Sequence, residues 1–451
     1  MRKKYDKLKI GINASYLRKP YTGIGQVTLN FLKKLSKLKV ESDPPARFAK
    51  ALARRAGEAG KLKDIEFILY LEEEIPKDLK LPKNFTKKIF LPIYKRDDLI
   101  RKIWWEKFLL PRLVRKDGCD VFVSMYQCPT VIARESRDDR GNLVLNKFVL
   151  NIARLLRYAR NDKNIKHIMI VHDIIPKLFP KYLDNARKKV YWKLTEYGIK
   201  KADKIIAVSK RTEKDLIEHL NIGADRITTE YIDVDECYKV ETQNFASLRE
   251  RNILKKYKLN SGYILAGGGY EVRKNVEGVV RAYKLLLERN KKENFLSDFP
   301  RLAIYGKVLP ENLSLATPIE KILRELNLTK YVILLGEVPQ KDLPALFSHA
   351  IMFAYPSFYE GFGMQILEAM SVGTPVVTSK VSSLPEVGGD SVLYCNPDDT
   401  IDIAMVLKNV LTNKDLREQL KSRGIERAKQ FSWEKFTEKV LNIISSYEST
   451  K

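Results

Sequence analysis

Cysteine is scarce in this chain. Cys119, Cys128, Cys237 and Cys395 are the only four in 451 residues, scattered and without metal-ligand spacing. That pattern argues against a disulfide scaffold and fits a reducing compartment. Long hydrophobic runs are missing too: no apolar stretch comes near the ~18 residues of a membrane span. The first ten residues, MRKKYDKLKI, are basic with no apolar segment behind them, so no secretory leader is expected. Acidic residues are short in one half. Residues 1–200 carry 46 Lys+Arg against 22 Asp+Glu, whereas residues 201–451 carry 36 against 34. Nearly all of the net charge of +26 therefore sits in the first half. Such a half should meet something anionic: nucleic acid, a membrane surface or an acidic substrate. The alternative is a solubility surface in a Lys-rich proteome. What remains, 44% hydrophobic and 31% charged residues, is globular and excludes a wholly disordered or collagen-like chain. At ~100–200 residues per domain, two domains are the simplest division.

Short β-branched runs alternate with longer amphipathic stretches. Lys9–Ala14, Phe67–Leu71, Val121–Ser124, Ile168–Val171 and Lys204–Val208 read as strands, and Gly23–Leu35 and Thr212–Leu220 as helices. A second series begins with a strand at Tyr263–Ala266 and a helix at Val276–Arg289. It continues with strands at Leu302–Tyr305, Val332–Leu335, Met352–Tyr355 and Pro375–Thr378. The alternation predicts parallel α/β sheets, two doubly wound domains, with ligands off the carboxyl ends of strands. Trp433–Tyr447 reads as a closing helix. Segments 41–63 and 133–166 read as insertions. Within the second, Leu143–Leu156 is amphipathic with arginines beside it, which suits either a membrane interface or the cover of an ordinary core.

Four clusters could carry chemistry. In Tyr359–Met370 (YEGFGMQILEAM) the glycines Gly361 and Gly363 let backbone approach a ligand, and the start of the next helix favours a phosphate. Glu360 and Glu368, expected two turns into that helix, suit the sugar end and the ribose of one bound molecule; the same spacing also arises by chance among surface glutamates. Gly267-Gly268-Gly269 ends a strand shortly before Arg273-Lys274, a planar fork and a point charge suited to a diphosphate at a cleft surface. A solvated turn is the plain alternative. His172-Asp173 stands at a strand's carboxyl end, and Tyr21-Thr22-Gly23-Ile24-Gly25 opens the first helix without the third glycine of a dinucleotide fingerprint.

Together and in order, these elements resemble the retaining glycosyltransferases of family four, which have the GT-B fold, particularly its mannosyltransferase-type members. The resemblance runs through Thr22–Gly25, VHDIIP (Val171–Pro176), ADKIIAVSKRTEKDL (Ala202–Leu216), Arg273-Lys274, the paired Glu360 and Glu368, Gly373–Val377 and Leu384–Gly388. Gln365 departs from it, since proline is frequent there. The resemblance implies two Rossmann-like domains facing across a cleft: an acceptor domain over 1–225, a donor domain over 230–430, and a helix over 432–451 crossing back to the first.

It also implies roles. His172, Glu360, Arg273 and Lys274 would be catalytic. The donor would be bound by Gly23, Gly25, Gly268, Arg273, Lys274, Val338, Glu360, Gly361, Phe362, Gly363, Met364 and Glu368. The implied reaction moves a hexose, mannose in the first place, from a nucleotide diphosphate sugar to a saccharide or polyprenyl-linked acceptor in polysaccharide, O-antigen or cell-envelope glycan synthesis. GDP-mannose is favoured over UDP-sugars. No cofactor and no metal are expected, since Asp233-Val234-Asp235 has a carboxylate-pair spacing but lies in the inter-domain connection. An anionic membrane surface is an expected partner and nucleic acid is not; the expected location is cytoplasmic, peripheral at the inner face of the plasma membrane. The alternatives are a GT-B relative such as a nucleotide-sugar epimerase, or a basic nucleic-acid-binding protein.

Overall fold

The computed structural model describes residues 8–37, 65–77, 79–90, 98–132, 165–239, 248–307, 309 and 315–447. Among these the apolar runs form two parallel sheets. The first holds β1 (Leu8–Asn13), β2 (Ile65–Leu71), β3 (Phe85–Ile89), β4 (Val121–Ser124), β5 (Lys166–Val171), β6 (Lys204–Ala207) and β7 (Ile227–Thr229), in the order β3-β2-β1-β4-β5-β6-β7. The second holds β8 (Tyr263–Gly267), β9 (Leu302–Tyr305), β10 (Val332–Gly336), β11 (Ala350–Tyr355), β12 (Val376–Ser379) and β13 (Leu393–Cys395), in the order β10-β9-β8-β11-β12-β13. The inner strands β4 and β9 are buried at every position, as expected of parallel strands covered on both faces. Strand order reverses beside β1 in one sheet and beside β8 in the other, the switch points where parallel sheets offer crevices.

Two compact units result. The first comprises Met1–Val208, Glu213–Glu230 and Trp433–Lys451; the second comprises Ser209–Thr212 and Tyr231–Ser432. In the first, helix α1 (Gly23–Lys37) follows β1 and buries Val27, Phe31, Leu32 and Leu35. Helix α2 (Lys210–Leu220) follows β6 and belongs to this unit from Glu213 onward. In the second, α3 (Val276–Glu293) follows β8 and buries Val279, Val280, Tyr283, Leu286 and Leu287, while α4 (Met364–Ser371) follows β11. Helix α5 (Trp433–Ser446) belongs to the first unit. Its Phe436 meets Phe31 of α1 edge to face with ring centres 6.2 Å apart, and Glu434 pairs with Lys34. Segment 41–63, nearly all of 133–166 and the amphipathic run Leu143–Leu156 lie outside the described residues. No helix among the described residues is long and apolar enough to cross a membrane.

Candidate functional site

In the second unit the carboxyl ends of the strands are built from glycine. Gly268 and Gly269, just beyond β8, take φ values of +91° and +123°, which side chains rarely adopt. Gly306, at the end of β9, sits so close that a Cβ on it would lie 2.5 Å from the Gly269 nitrogen. Gly306 is a further residue of this corner, and its one signal in the sequence is a glycine directly after a strand. The chain then makes a single 3-10 turn, Val272–Lys274, and Asn275 enters the left-handed region (φ 54°) to cap α3. The Asn275 Nδ2 donates to the carbonyls of Pro356 and Pro397 at 3.0 and 2.8 Å, fastening this turn to the loops after β11 and β13.

That loop delivers Glu360 to the two cations. Glu360 Oε1 lies 2.8 Å from Lys274 Nζ and 2.9 Å from Arg273 Nη1. The hydroxyls of Tyr355 and Ser357 also reach it, each at 2.7 Å. Lys274 Nζ donates to Tyr355 Oη as well, and Arg273 Nη2 pairs with Glu271 at 3.2 Å. Among the described residues no hydrogen bond falls on Glu360 Oε2. Burial works against the Glu360 carboxylate, but Arg273 and Lys274 outweigh it and hold its pKa at about 2. Burial, joined by Arg273, pulls the Lys274 ammonium below its ordinary value against the opposing pull of Glu360.

Lys274 is only 7% exposed, and the Arg273 side chain 11%. This corrects the expectation of two cations on a cleft surface. They can be buried because acceptors satisfy them there: the Glu360 carboxylate takes both, the Tyr355 hydroxyl accepts from Lys274, and Glu271 and the Tyr359 carbonyl accept from Arg273, which a solvated turn does not require. Tyr355 and Ser357 went unnoticed in the sequence because a Tyr at a strand end and a Ser after Pro are ordinary turn chemistry.

Glu368 is the fifth residue of α4, just over one turn in rather than two. Its Oε1 accepts from Gln340 Nε2 at 2.8 Å, and the same nitrogen donates to Tyr238 Oη at 2.8 Å. Burial raises the Glu368 pKa to about 7 against the opposing influence of Gln340 and Tyr238. Gly363 caps α4 in the left-handed region (φ 97°), and no side chain caps that terminus; the Ile366 amide donates to the Gly363 carbonyl at 3.1 Å, so the Met364 and Gln365 amides are the ones left for a ligand. Gln365 accepts from the Tyr355 hydroxyl at 3.2 Å and lines the space beside Gly268.

The other expected donor residues divide. Gly361 is buried, its carbonyl accepting from Ser209 at 2.6 Å. Phe362 is buried against Phe431 and Tyr231, so packing accounts for its side chain. Met364 and Val338 are half-buried, at the first residue of α4 and just after β10.

In the first unit His172 follows β5. Its Nε2 stands 2.9 Å from the Met125 carbonyl, which can only accept, so Nε2 carries the proton. Gln127 grips the same corner, accepting from the His172 amide at 3.2 Å and donating to the Asp173 carbonyl at 3.1 Å. Burial lowers the His172 pKa to about 4, so the ring is neutral at physiological pH. Gly23 is exposed with open space where a Cβ would go. At Gly25 a Cβ would come within 2.0 Å of the Lys19 carbonyl oxygen, so glycine is demanded there by the turn itself. The structure thus gathers Gly268, Arg273, Lys274, Glu360 and Gly363 at neighbouring strand and helix ends of the second unit, and holds His172, Gly23 and Gly25 in the first.

The carboxylates of Asp233 and Asp235 have separate partners: Asp233 pairs with Lys239 at 2.6 Å, and Asp235 caps the turn at Cys237. Among the described residues the one group of three with metal-ligand proximity is Asp215, Glu218 and His219 on α2, the latter two exposed.

Residues 250–427 match the model of the glycosyl transferases group 1, and residues 125–231 that of glycosyltransferase family 4. The chain is 37% identical over 272 residues to the O-antigen chain mannosyltransferase B of Escherichia coli, an alignment covering 60% of this chain and 68% of the relative. It is 32% identical over 275 residues to the serotype-specific mannosyltransferase WbdA of Escherichia coli, covering 59% of this chain but only 32% of that protein. Among solved structures, WaaG, a glycosyltransferase of lipopolysaccharide biosynthesis, superposes with a TM-score of 0.63 at 15% identity over 97% of this chain and 99% of its own. Anabaena HepE in complex with UDP and glucose does so with the same score and identity over 98% of this chain and all of its own. At that identity the likeness is one of fold.

Proposed function

The chain belongs to glycosyltransferase family 4, with the GT-B pair of parallel α/β domains, and from that premise we propose that it transfers mannose, with retention, from GDP-mannose to a saccharide acceptor. The observation that carries the reading is the knot of Arg273, Lys274 and Glu360 beside an open helix N-terminus, in a chain similar to mannosyltransferases of O-antigen synthesis.

Transfer breaks the bond between the sugar's anomeric carbon and a diphosphate oxygen, so negative charge builds on the leaving diphosphate. Arg273 and Lys274 would neutralise that charge, with the first amides of α4 assisting. Both cations already lean on Glu360, which fixes their heads before a ligand arrives. Glu360 Oε2 would accept from sugar hydroxyls and Glu368 from ribose hydroxyls. His172, neutral with its proton on Nε2, would contact the transferred sugar without adding a charge beside the forming cation. These fixed cations supply what a divalent metal supplies elsewhere, so transfer should not need one.

A donor at about 100 times its dissociation constant stabilises a fold by about 2.7 kcal/mol. GDP-mannose in excess EDTA is expected to raise the melting temperature above the effect of UDP-glucose, and to support transfer. A reversed ranking overturns the donor, and activity that returns only with Mg²⁺ or Mn²⁺ overturns metal independence.

The acceptor reading rests on charge. The Lys and Arg excess of residues 1–200 favours a polyprenyl-linked saccharide at an anionic cytoplasmic membrane face, each cation near the lipid contributing about 1 kcal/mol. Co-sedimentation is expected with anionic vesicles, not neutral ones, and is expected to vanish at 1 M salt, where screening shortens to ~3 Å. Absence from anionic vesicles at low salt would favour an acceptor free of lipid.

A further inference from the structure

Glu368 is reached by two segments far from it in sequence. Gln340 lies on the turn after β10 (Gln340–Asp342), and Tyr238 on the turn Glu236–Tyr238 that follows the first sheet. Tyr238 is fully buried, and a buried phenol oxygen needs a partner. It finds one in Gln340 Nε2, at 2.8 Å, while the same nitrogen serves Glu368 Oε1 at 2.8 Å. An amide nitrogen has two N–H bonds, and these two acceptors occupy both. The amide is thereby fixed with its nitrogen toward the carboxylate. The Tyr238 hydroxyl, on the same side, also favours the charged form of Glu368.

We propose that Tyr238 and Gln340 are positioning residues, a clamp that holds Glu368 Oε1 and turns the second carboxylate oxygen toward the ribose hydroxyls of the nucleotide donor. The proposal rests on the reading of Glu368 as the ribose-binding residue. Neither clamp residue needs to touch the ligand; both act through Glu368.

The clamp has an electrostatic consequence. Around Glu368, Asp235 disfavours the carboxylate, Lys274 favours it, and the buried Tyr305 phenol at the end of β9 stays neutral. Burial is the largest influence and is the one the two clamp residues oppose. Removing either polar group must therefore raise the pH at which Glu368 ionises. Hydroxyl binding in this site wants the carboxylate, so the pH profile of donor affinity reports on the clamp directly.

The test is calorimetric binding of GDP-mannose from pH 5.5 to 8.5. The probe's diphosphate is esterified at both ends and stays fully ionised throughout, so it adds no titration of its own. Wild-type affinity should weaken below about pH 7, approaching tenfold per unit. Tyr238→Phe should move the midpoint up by about half a unit, a roughly twofold loss at pH 7 that grows to about threefold by pH 6 and recovers at pH 8.5. Gln340→Glu, near-isosteric, sets a second carboxylate against the first and should move it by about one unit or more, a loss of roughly fivefold or more at pH 7 that approaches tenfold by pH 6. Melting curves in the same buffers establish that both variants are folded. A merely structural role would lower affinity by one factor at every pH. A wild-type midpoint that neither variant moves overturns the clamp and leaves the ribose reading standing. A flat wild-type profile overturns the ribose reading, and the clamp with it.

Discussion

Lys274→Ala is expected to lose turnover by ~10²-fold or more and also to melt earlier. The first effect follows from removing a charge aimed at the leaving diphosphate, on the scale measured for lost transition-state donors. The second follows from burial. Lys274 is one of two cations on a single buried carboxylate oxygen, and removing one partner of a buried pair typically destabilises by about 3–5 kcal/mol. Arg273 remains on Glu360, which places the expected loss at the lower end. Initial-rate kinetics and denaturant unfolding on the same preparation read the two effects separately. A variant with wild-type turnover would remove Lys274 from the reaction, and one with wild-type stability would mean that the Glu360 knot is not held by its charges.

Glu368→Gln should do the opposite to stability. The Glu368 pKa is raised from an ordinary 4.5 to about 7. The contribution is favourable below about pH 4.5 relative to higher pH, and is lost as pH rises through 7. A shift of that size corresponds to about 3 kcal/mol against the folded state at pH 8, where the group must be ionised although buried. The neutral isostere removes that penalty while its carbonyl still accepts from Gln340. The variant is therefore expected to be more stable than wild type by about 3 kcal/mol at pH 8 and by under about 1 kcal/mol at pH 5. Nucleotide affinity should meanwhile fall ~10-fold or more, since hydrogen bonds to a charged acceptor contribute about 1.5–3 kcal/mol. Glu360 runs the other way. Its pKa is lowered to about 2, so its contribution is present above about pH 4.5 and disappears as pH falls toward 2. Unfolding curves at pH 5 and pH 8 check the sign; an equally stable or less stable variant at pH 8 would mean that Glu368 is not held ionised against its surroundings.

Much of the scaffold could be read before the structure. β-branched runs such as Ile168–Val171 and Leu302–Tyr305 became inner strands because only a doubly covered parallel sheet buries them on both sides. The edge strand Phe85–Ile89 escaped notice because an edge carries the polar residues that discourage further pairing, here Lys87 and Lys88, and so lacks the apolar signature. The site was legible as a set of residues, not as a set of contacts. Glu360 and Lys274 each stood out, for a glycine-bracketed carboxylate and for a cation after a glycine turn. That one sits on the other, 86 positions away, is decided by the Asn275 cap and the loop after β11. Tyr238 and Gln340 had no local signal at all: their meaning lies wholly in Glu368, and an isolated Tyr or Gln between strands is the most ordinary of residues.

The placement of α5 bears on how the chain is made. Synthesis proceeds at ~5–20 residues per second, and roughly 200 residues of the second unit emerge between the first unit's last strand and Trp433. For tens of seconds the nascent first unit has its sheet complete and its α1 formed, but nothing against Phe31 on the flank where Phe436 will dock. The second unit's main stretch, Tyr231–Ser432, is continuous and can close as it leaves the ribosome. The half that begins first is thus finished last, and a ribosome that stalls short of Trp433 releases a sound second unit joined to a first unit with an uncovered apolar flank, a client for chaperones rather than a working half-enzyme.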